Sequence, residues 1–140
     1  MQMNTYLTFD GQCEEAFTFY ASQLGGSIQS IFRHGETPGA EHVPAEWRDK
    51  VMHARLNLPG GVLMGSDAPP GAVTSTPAGF AIALHPAEPA EAERIFAALS
   101  EGGTVQMPIQ ETFWSVRFGM LTDRFGIPWM VNCEQAPQAA

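Results

Sequence analysis

FDGQCEEAFTFYASQLGG (residues 9–26) and PAEAERIFAALSEGG (residues 89–103) decide the architecture, because they read as two versions of one helix in a single chain. Glu14, Phe19, Gly25 and Gly26 fall on Glu91, Phe96, Gly102 and Gly103 at a constant offset. Further along, Gly60 and Met64 fall on Gly126 and Met130 at a smaller offset. The change of offset puts extra residues in the first copy, where the Pro/Gly-bearing stretch Gly35–Asp49 accommodates them. A chain that repeats its elements builds two similar modules, and the place where such halves meet is the expected ligand cleft.

Strands surround each helix. Met3–Phe9 alternates, with Met3, Thr5, Leu7 and Phe9 on one side and Asn4, Tyr6 and Thr8 on the other. Cys13, Ala16, Phe17, Tyr20 and Leu24 then follow a helical period, which Gly25 and Gly26 stop. Ser27–Arg33 reads as a strand, and Gly35–Asp49 as a loop with a helical turn near Trp47. Val51–Leu58 alternates again, Pro59-Gly60-Gly61 turns the chain, and Val62–Ser66 returns. The second copy predicts strand Gly79–Leu84, helix Pro89–Ser100, and strands Thr104–Ile109, Trp114–Thr122 and Ile127–Asn132. The expected class is α+β: two tandem βαβββ modules, 1–67 and 79–134, whose curved mixed half-sheets surround a cleft. A Pro-rich linker, 68–78, joins them, and a frayed tail follows at 135–140.

Composition bounds the function. The net charge is −8, with 15 Asp plus Glu against 7 Lys plus Arg. That balance argues against nucleic acid and anionic membrane surfaces as partners. No apolar run approaches a bilayer span, and the first residues lack a basic-then-apolar signal pattern, so a cytoplasmic location is expected. Two cysteines, Cys13 and Cys133, form no CxxC pair and read as buried free thiols.

The segments DKVMHARL (49–56), LMGSDAPPG (63–71) and FWSVRFGMLTDRFGIPWMVN (113–132) resemble the vicinal oxygen chelate superfamily, the glyoxalase, bleomycin-resistance and dioxygenase group. DRFGIPWMVN points to its PhnB-like branch. Members of that branch often carry the label 3-demethylubiquinone-9 3-methyltransferase. A methyltransferase of the usual kind needs a Gly-rich turn after a parallel strand, and the chain has no GxGxG element, which argues against S-adenosylmethionine chemistry.

The resemblance also implies a divalent ion held by His and Glu from the first and last strands of each module. Carried over, those positions are Thr5 or Asn4, Met64, a residue near Ala81, and Met130. None is His or Glu, so no cofactor is expected from the usual ligand set. A rearranged metal site would draw on His53 and a carboxylate such as Asp67.

If the apolar side of each strand meets its helix, the cleft receives Asn4, Tyr6, His53, Arg55, Met64, Ser66, Arg117, Met130 and Asn132. Arg55 and Arg117 fall at matching places in the two copies and suit carboxylate or phosphate groups. The competing account is that each pairs with a neighbouring acid. Trp114 and Trp129 are expected in the core, with Trp114 the alternative rim of a pocket. The leading expectation is a small-molecule-binding protein of the glyoxalase/bleomycin-resistance type without the usual metal. The alternatives are a metal-dependent lyase or isomerase with a rearranged site, and a resistance-type protein that sequesters a cationic compound. A homodimer is expected from the superfamily's habit of pairing copies across two chains.

Overall fold

The computed structural model describes residues 1–73 and 75–134, and the tail expected at 135–140 lies outside the described residues. The chain divides after Ser75 into two compact units.

The first unit runs β1 (Thr5–Phe9), α1 (Cys13–Leu24), β2 (Ser27–Arg33), β3 (Val51–Leu58) and β4 (Gly61–Asp67). Its sheet has the order β1-β4-β3-β2, with β1 parallel to β4 and the other pairs antiparallel. Three short 3-10 turns, His34–Glu36, Ala40–His42 and Ala45–Trp47, fill the long loop. Gly25 ends α1 at φ 73°, a left-handed cap that a side chain would strain. Cys13, Ala16, Phe17 and Tyr20 are buried on the inner stripe of α1. Leu7, Phe9, Val51, Ala54, Leu56 and Leu63 are the buried hydrophobic residues of the sheet. Phe9 meets Phe17 edge to face at 6.0 Å. Full burial of a side chain such as Phe17 stabilises by about 2–3 kcal/mol, so this stripe fixes which sheet face the helix covers.

The second unit repeats the plan as β5 (Ile82–Leu84), α2 (Pro89–Ser100), β6 (Thr104–Gln110), β7 (Ser115–Thr122) and β8 (Pro128–Glu134), in the order β5-β8-β7-β6. β5 is parallel to β8. Its core holds Ala92, Ile95, Phe96 and Leu99 of α2 with Leu121, Trp129 and Val131. Asp123 closes the turn before β8, accepting bonds from the Phe125 and Ile127 N–H groups and from the Trp129 indole.

Two expectations need correction. Phe17, rather than Phe19, is the counterpart of Phe96, since Phe17 and Phe96 are buried and Phe19 is only half-buried. The buried stripe Cys13, Ala16, Phe17 and Tyr20 matches Ala92, Ile95, Phe96 and Leu99, two residues out of step with the glycine pairs that follow the helices. The strand expected over Gly79–Leu84 is only Ile82–Leu84.

Candidate functional site

Each sheet has a face covered by its own helix and an opposite face that this helix does not touch. Ladder register assigns residues to the open face of the first sheet. Tyr6 pairs with Met64, Met64 with Arg55, and Arg55 with Ser30, giving one row across all four strands. Thr8 pairs with Ser66, and His53 with Phe32. His53 and Ser66 lie one step beyond the Ala54–Gly65 pair, and so belong to a second row on the same side. Asn57, paired with Ser27, occupies the far end. Asn4, just before β1, is exposed. No Asp or Glu stands in either row or at Asn57 and Ser27.

The side chains in this face are partly organised. The Tyr6 hydroxyl lies 3.2 Å from His53 Nδ1, and the rings stack with centroids 5.7 Å apart and an interplanar angle of 27°. With Tyr6 as donor, the neutral imidazole carries its proton at Nε2. Arg55 Nε donates to Asn57 Oδ1 at 3.3 Å, and Asn57 Nδ2 donates to Gln29 Oε1 at 2.8 Å. The two terminal guanidinium nitrogens of Arg55 have no hydrogen-bond or ion-pair partner among the described residues. Met64 and Ser66 are half-buried beside it.

The second sheet differs at the equivalent points. Ala83 pairs with Met130, Met130 with Met120, and Phe118 with Asn132. Matching Met64 with Met130 puts Met120 where the first sheet has Arg55, and Ala83 where it has Tyr6. Arg117 is therefore not the counterpart of Arg55. Arg117 pairs with Cys133, on the same side of β7 as Gly119 and Leu121, and its Nε donates to Glu93 of α2 at 2.8 Å. The bond to Glu93 raises the Arg117 pKa, with the charge of Glu93 adding to it against the opposing effect of desolvation. Asn132 is bonded to the hydroxyl of buried Ser115. Trp129 is fully buried, whereas Trp114 is 46% exposed, resting edge-on against Phe118.

The donor set does not fit the divalent ion that the superfamily resemblance implies. Thr5 pairs with Leu63 on the helix side, and Met64 and Met130 offer only soft thioethers. Nor do His53 and Asp67 come together. Asp67 is buried on the helix side, accepting bonds from the backbone N–H groups of Gly11, Cys13 and Val51. Among the described residues no three His, Cys, Asp or Glu side chains gather as a metal site would need.

Among the described residues, crevices also lie away from this face. One, of about 390 Å³, is lined by Glu14, Arg33, Asp49, Lys50 and their neighbours. Within it Arg33 grips Glu14 through both oxygens, and Lys50 Nζ bonds the Gly11 carbonyl. The other, of about 270 Å³, lies between His85 and Glu134.

The same two-module plan occurs in the glyoxylase/bleomycin resistance protein/dioxygenase domain from Frankia sp. EAN1pec, at a TM-score of 0.62 and 16% identity over 96% of this chain and 98% of that one. At that identity the likeness concerns the fold alone, and the fold is glyoxalase/bleomycin-resistance-like. Sequence narrows the class: the family described as 3-demethylubiquinone-9 3-methyltransferase matches residues 1–132, and the chain belongs to that family. Protein PA1353 from Pseudomonas aeruginosa is 48% identical, with a TM-score of 0.86 over 97% of this chain and 99% of that one. The PhnB protein from Bacillus cereus is 29% identical, with a TM-score of 0.80 over 95% and 99%. No helix among the described residues is long and apolar enough to cross a membrane.

Proposed function

We propose that this protein binds a small anionic molecule on the open face of its first sheet, with Arg55 as the anchor. One observation carries the reading. In a chain of net charge −8, a guanidinium stands with its terminal donors unpartnered among the described residues, in rows without an acid. A planar fork of N–H donors suits a carboxylate or phosphate. His53, Ser66 and Met64 add hydrogen-bonding groups and an adaptable apolar floor. The reading needs no divalent ion.

The Frankia domain's name spans an enzyme, a resistance protein and an oxygenase, so the fold leaves the choice between binding and catalysis to the site. The family's description names a methyl transfer. Each sheet here has a single parallel pair, unlike the doubly wound parallel sheet that cradles a nucleotide-type cofactor, and ligand binding is the reading offered. A cytoplasmic location accompanies it, in keeping with two free buried cysteines. A homodimer accompanies it too, since Phe113 is 91% exposed and a second copy would cover such apolar surface.

The test is a thermal-shift screen of anionic and cationic small molecules and divalent metals against wild type, Arg55→Met and Arg117→Met. Anions should raise the melting temperature of wild type and Arg117→Met but not of Arg55→Met. Stabilisation by cations alone would favour sequestration of a cationic compound instead. Metal at whole-number stoichiometry in the purified protein would return the site to metal chemistry.

A further inference from the structure

Resting on the reading of Arg55 as an anion anchor, we infer that the ligand is an aromatic monocarboxylate, held one per chain on the first sheet. Two neighbouring rows supply the argument. In one, Tyr6, Met64, Arg55 and Ser30 cross the strands in register. In the other, His53 pairs with Phe32, and the Tyr6 ring reaches across β4 to stack on His53. An anion-binding row therefore runs beside an aromatic one, side-chain origins being about 7 Å apart for residues two positions along a strand. That matches a ring joined by a short spacer to a carboxylate.

Charge selects among anions. Arg55 is the sole Lys or Arg in the two rows, and Ser30 and Ser66 beside it add hydrogen bonds but no charge. One guanidinium offsets one negative charge, which suits a carboxylate rather than a phosphate dianion. The donors at the start of α1, which could have helped a phosphate, are occupied by Asp67 on the other side of the sheet.

The aromatic part follows from exposure and order. Tyr6 is 49% and Phe32 51% exposed. Tyr6 is nevertheless held by its hydrogen bond to His53, so its face is available with little further loss of freedom. The stoichiometry follows from asymmetry between the modules. At the positions of Tyr6, His53 and Arg55 the second sheet has Ala83, Phe118 and Met120, which provide no charge and no fork of donors.

The experiment is a titration of the full chain with phenylpropionate, butyrate and phenyl phosphate, followed by backbone amide and arginine Nε resonances. Phenylpropionate should bind one per chain, shift Tyr6, Phe32, His53 and Arg55, and bind at least about tenfold tighter than butyrate. Arg55→Met should lose about tenfold or more in affinity for both carboxylates. Methionine already fills the equivalent place in the second sheet, so this variant keeps the strand's packing. Tyr6→Ala should weaken phenylpropionate about fivefold to tenfold and leave butyrate unchanged. Equal binding of butyrate and phenylpropionate, or tighter binding of phenyl phosphate, overturns the ligand class while Arg55 remains an anion anchor. If no probe moves the Arg55 resonance, or Arg55→Met binds as wild type does, the anchor and the ligand class fall together.

Discussion

Replacing Asp67 by alanine should cost the first module much of its stability. Asp67 is 2% exposed, and its carboxylate accepts N–H bonds from Gly11 at 3.0 Å, Cys13 at 2.9 Å and Val51 at 2.9 Å. It ties the start of α1 to the start of β3 from the end of β4. Alanine would orphan two buried donors and one part-buried donor, at about 1–3 kcal/mol for each buried one. Loss of a negative charge beside a helix start adds a few tenths of a kcal/mol. The sum is about 3–6 kcal/mol, comparable to the whole stability of an ordinary domain. Asp67→Asn keeps one oxygen for Gly11 and Cys13 but turns an N–H group toward Val51, and should cost about half as much. The second module explains why one copy needs the carboxylate. Cys133 occupies the place equivalent to Asp67, and α2 begins with Pro89, which has no N–H to satisfy. Urea unfolding, read together with amide exchange of α1, β3 and β8, is the assay. The midpoint should fall, with exchange accelerated first in α1 and β3. A loss below about 1 kcal/mol for Asp67→Ala would refute the capping role and reopen Asp67 as a functional acid.

The core packing, the Glu14–Arg33 ion pair and the Cys13 thiol can each be tested in turn. A Cβ on Gly119 would lie 2.5 Å from the Phe96 ring, so Gly119→Ala should destabilise by about 1–3 kcal/mol in urea melts, whereas Gly61→Ala, with open space around it, should be within about 0.5 kcal/mol of wild type. The bond from Arg33, together with its charge, holds the Glu14 carboxyl below its ordinary value against a smaller opposing desolvation. The Glu14–Arg33 contribution should therefore be present above Glu14's unfolded value and vanish as pH falls through the lowered one. Because Glu14 is half exposed, the contribution should be no more than about 0.5–1 kcal/mol, read from the pH dependence of melting in wild type against Glu14→Gln. Burial pushes the Cys13 thiol well above its usual range, with the charges of Asp67 and Glu14 adding to it. Cys13 should resist thiol reagents at neutral pH until the first module is unfolded, as mass spectrometry of labelled protein would reveal.

The sheet-and-helix plan was legible because hydrophobic period reports burial directly. Ser27–Arg33, Val51–Leu58 and Pro89–Ser100 were bounded to the residue, by turn glycines on one side and by the change of period on the other. The assignment of residues to a sheet face agreed with the ladders where one side of a strand is clearly apolar and the other polar. On β3 and β4 it put Arg55, His53, Met64 and Ser66 on one face, where the ladders also put them. On β7 it failed, because Val116, Phe118 and Met120 on one side are as apolar as Gly119 and Leu121 on the other, so the alternation did not tell which side meets the helix, and the unbroken ladder from Arg117 to Thr122 puts Arg117 with Gly119 and Leu121. Arg117 consequently looked like a second anion anchor, whereas its pairing with Cys133 and its 2.8 Å bond to Glu93 make it a helix-facing residue. The helix itself carried a usable signal: Glu93 lies on the polar flank of α2, at a spacing from Ile95 and Phe96 that brings a carboxylate to the sheet's edge. Asp67 was hidden for a different reason. Its role depends on three backbone donors far apart in the chain, and backbone hydrogen bonding leaves no mark on side-chain identity beyond the absence of a proline at Cys13. The contrast with Pro89 supplies that mark in retrospect. Of two helices with the same plan, the one lacking an initial proline is the one that needs an acid delivered from a distant strand.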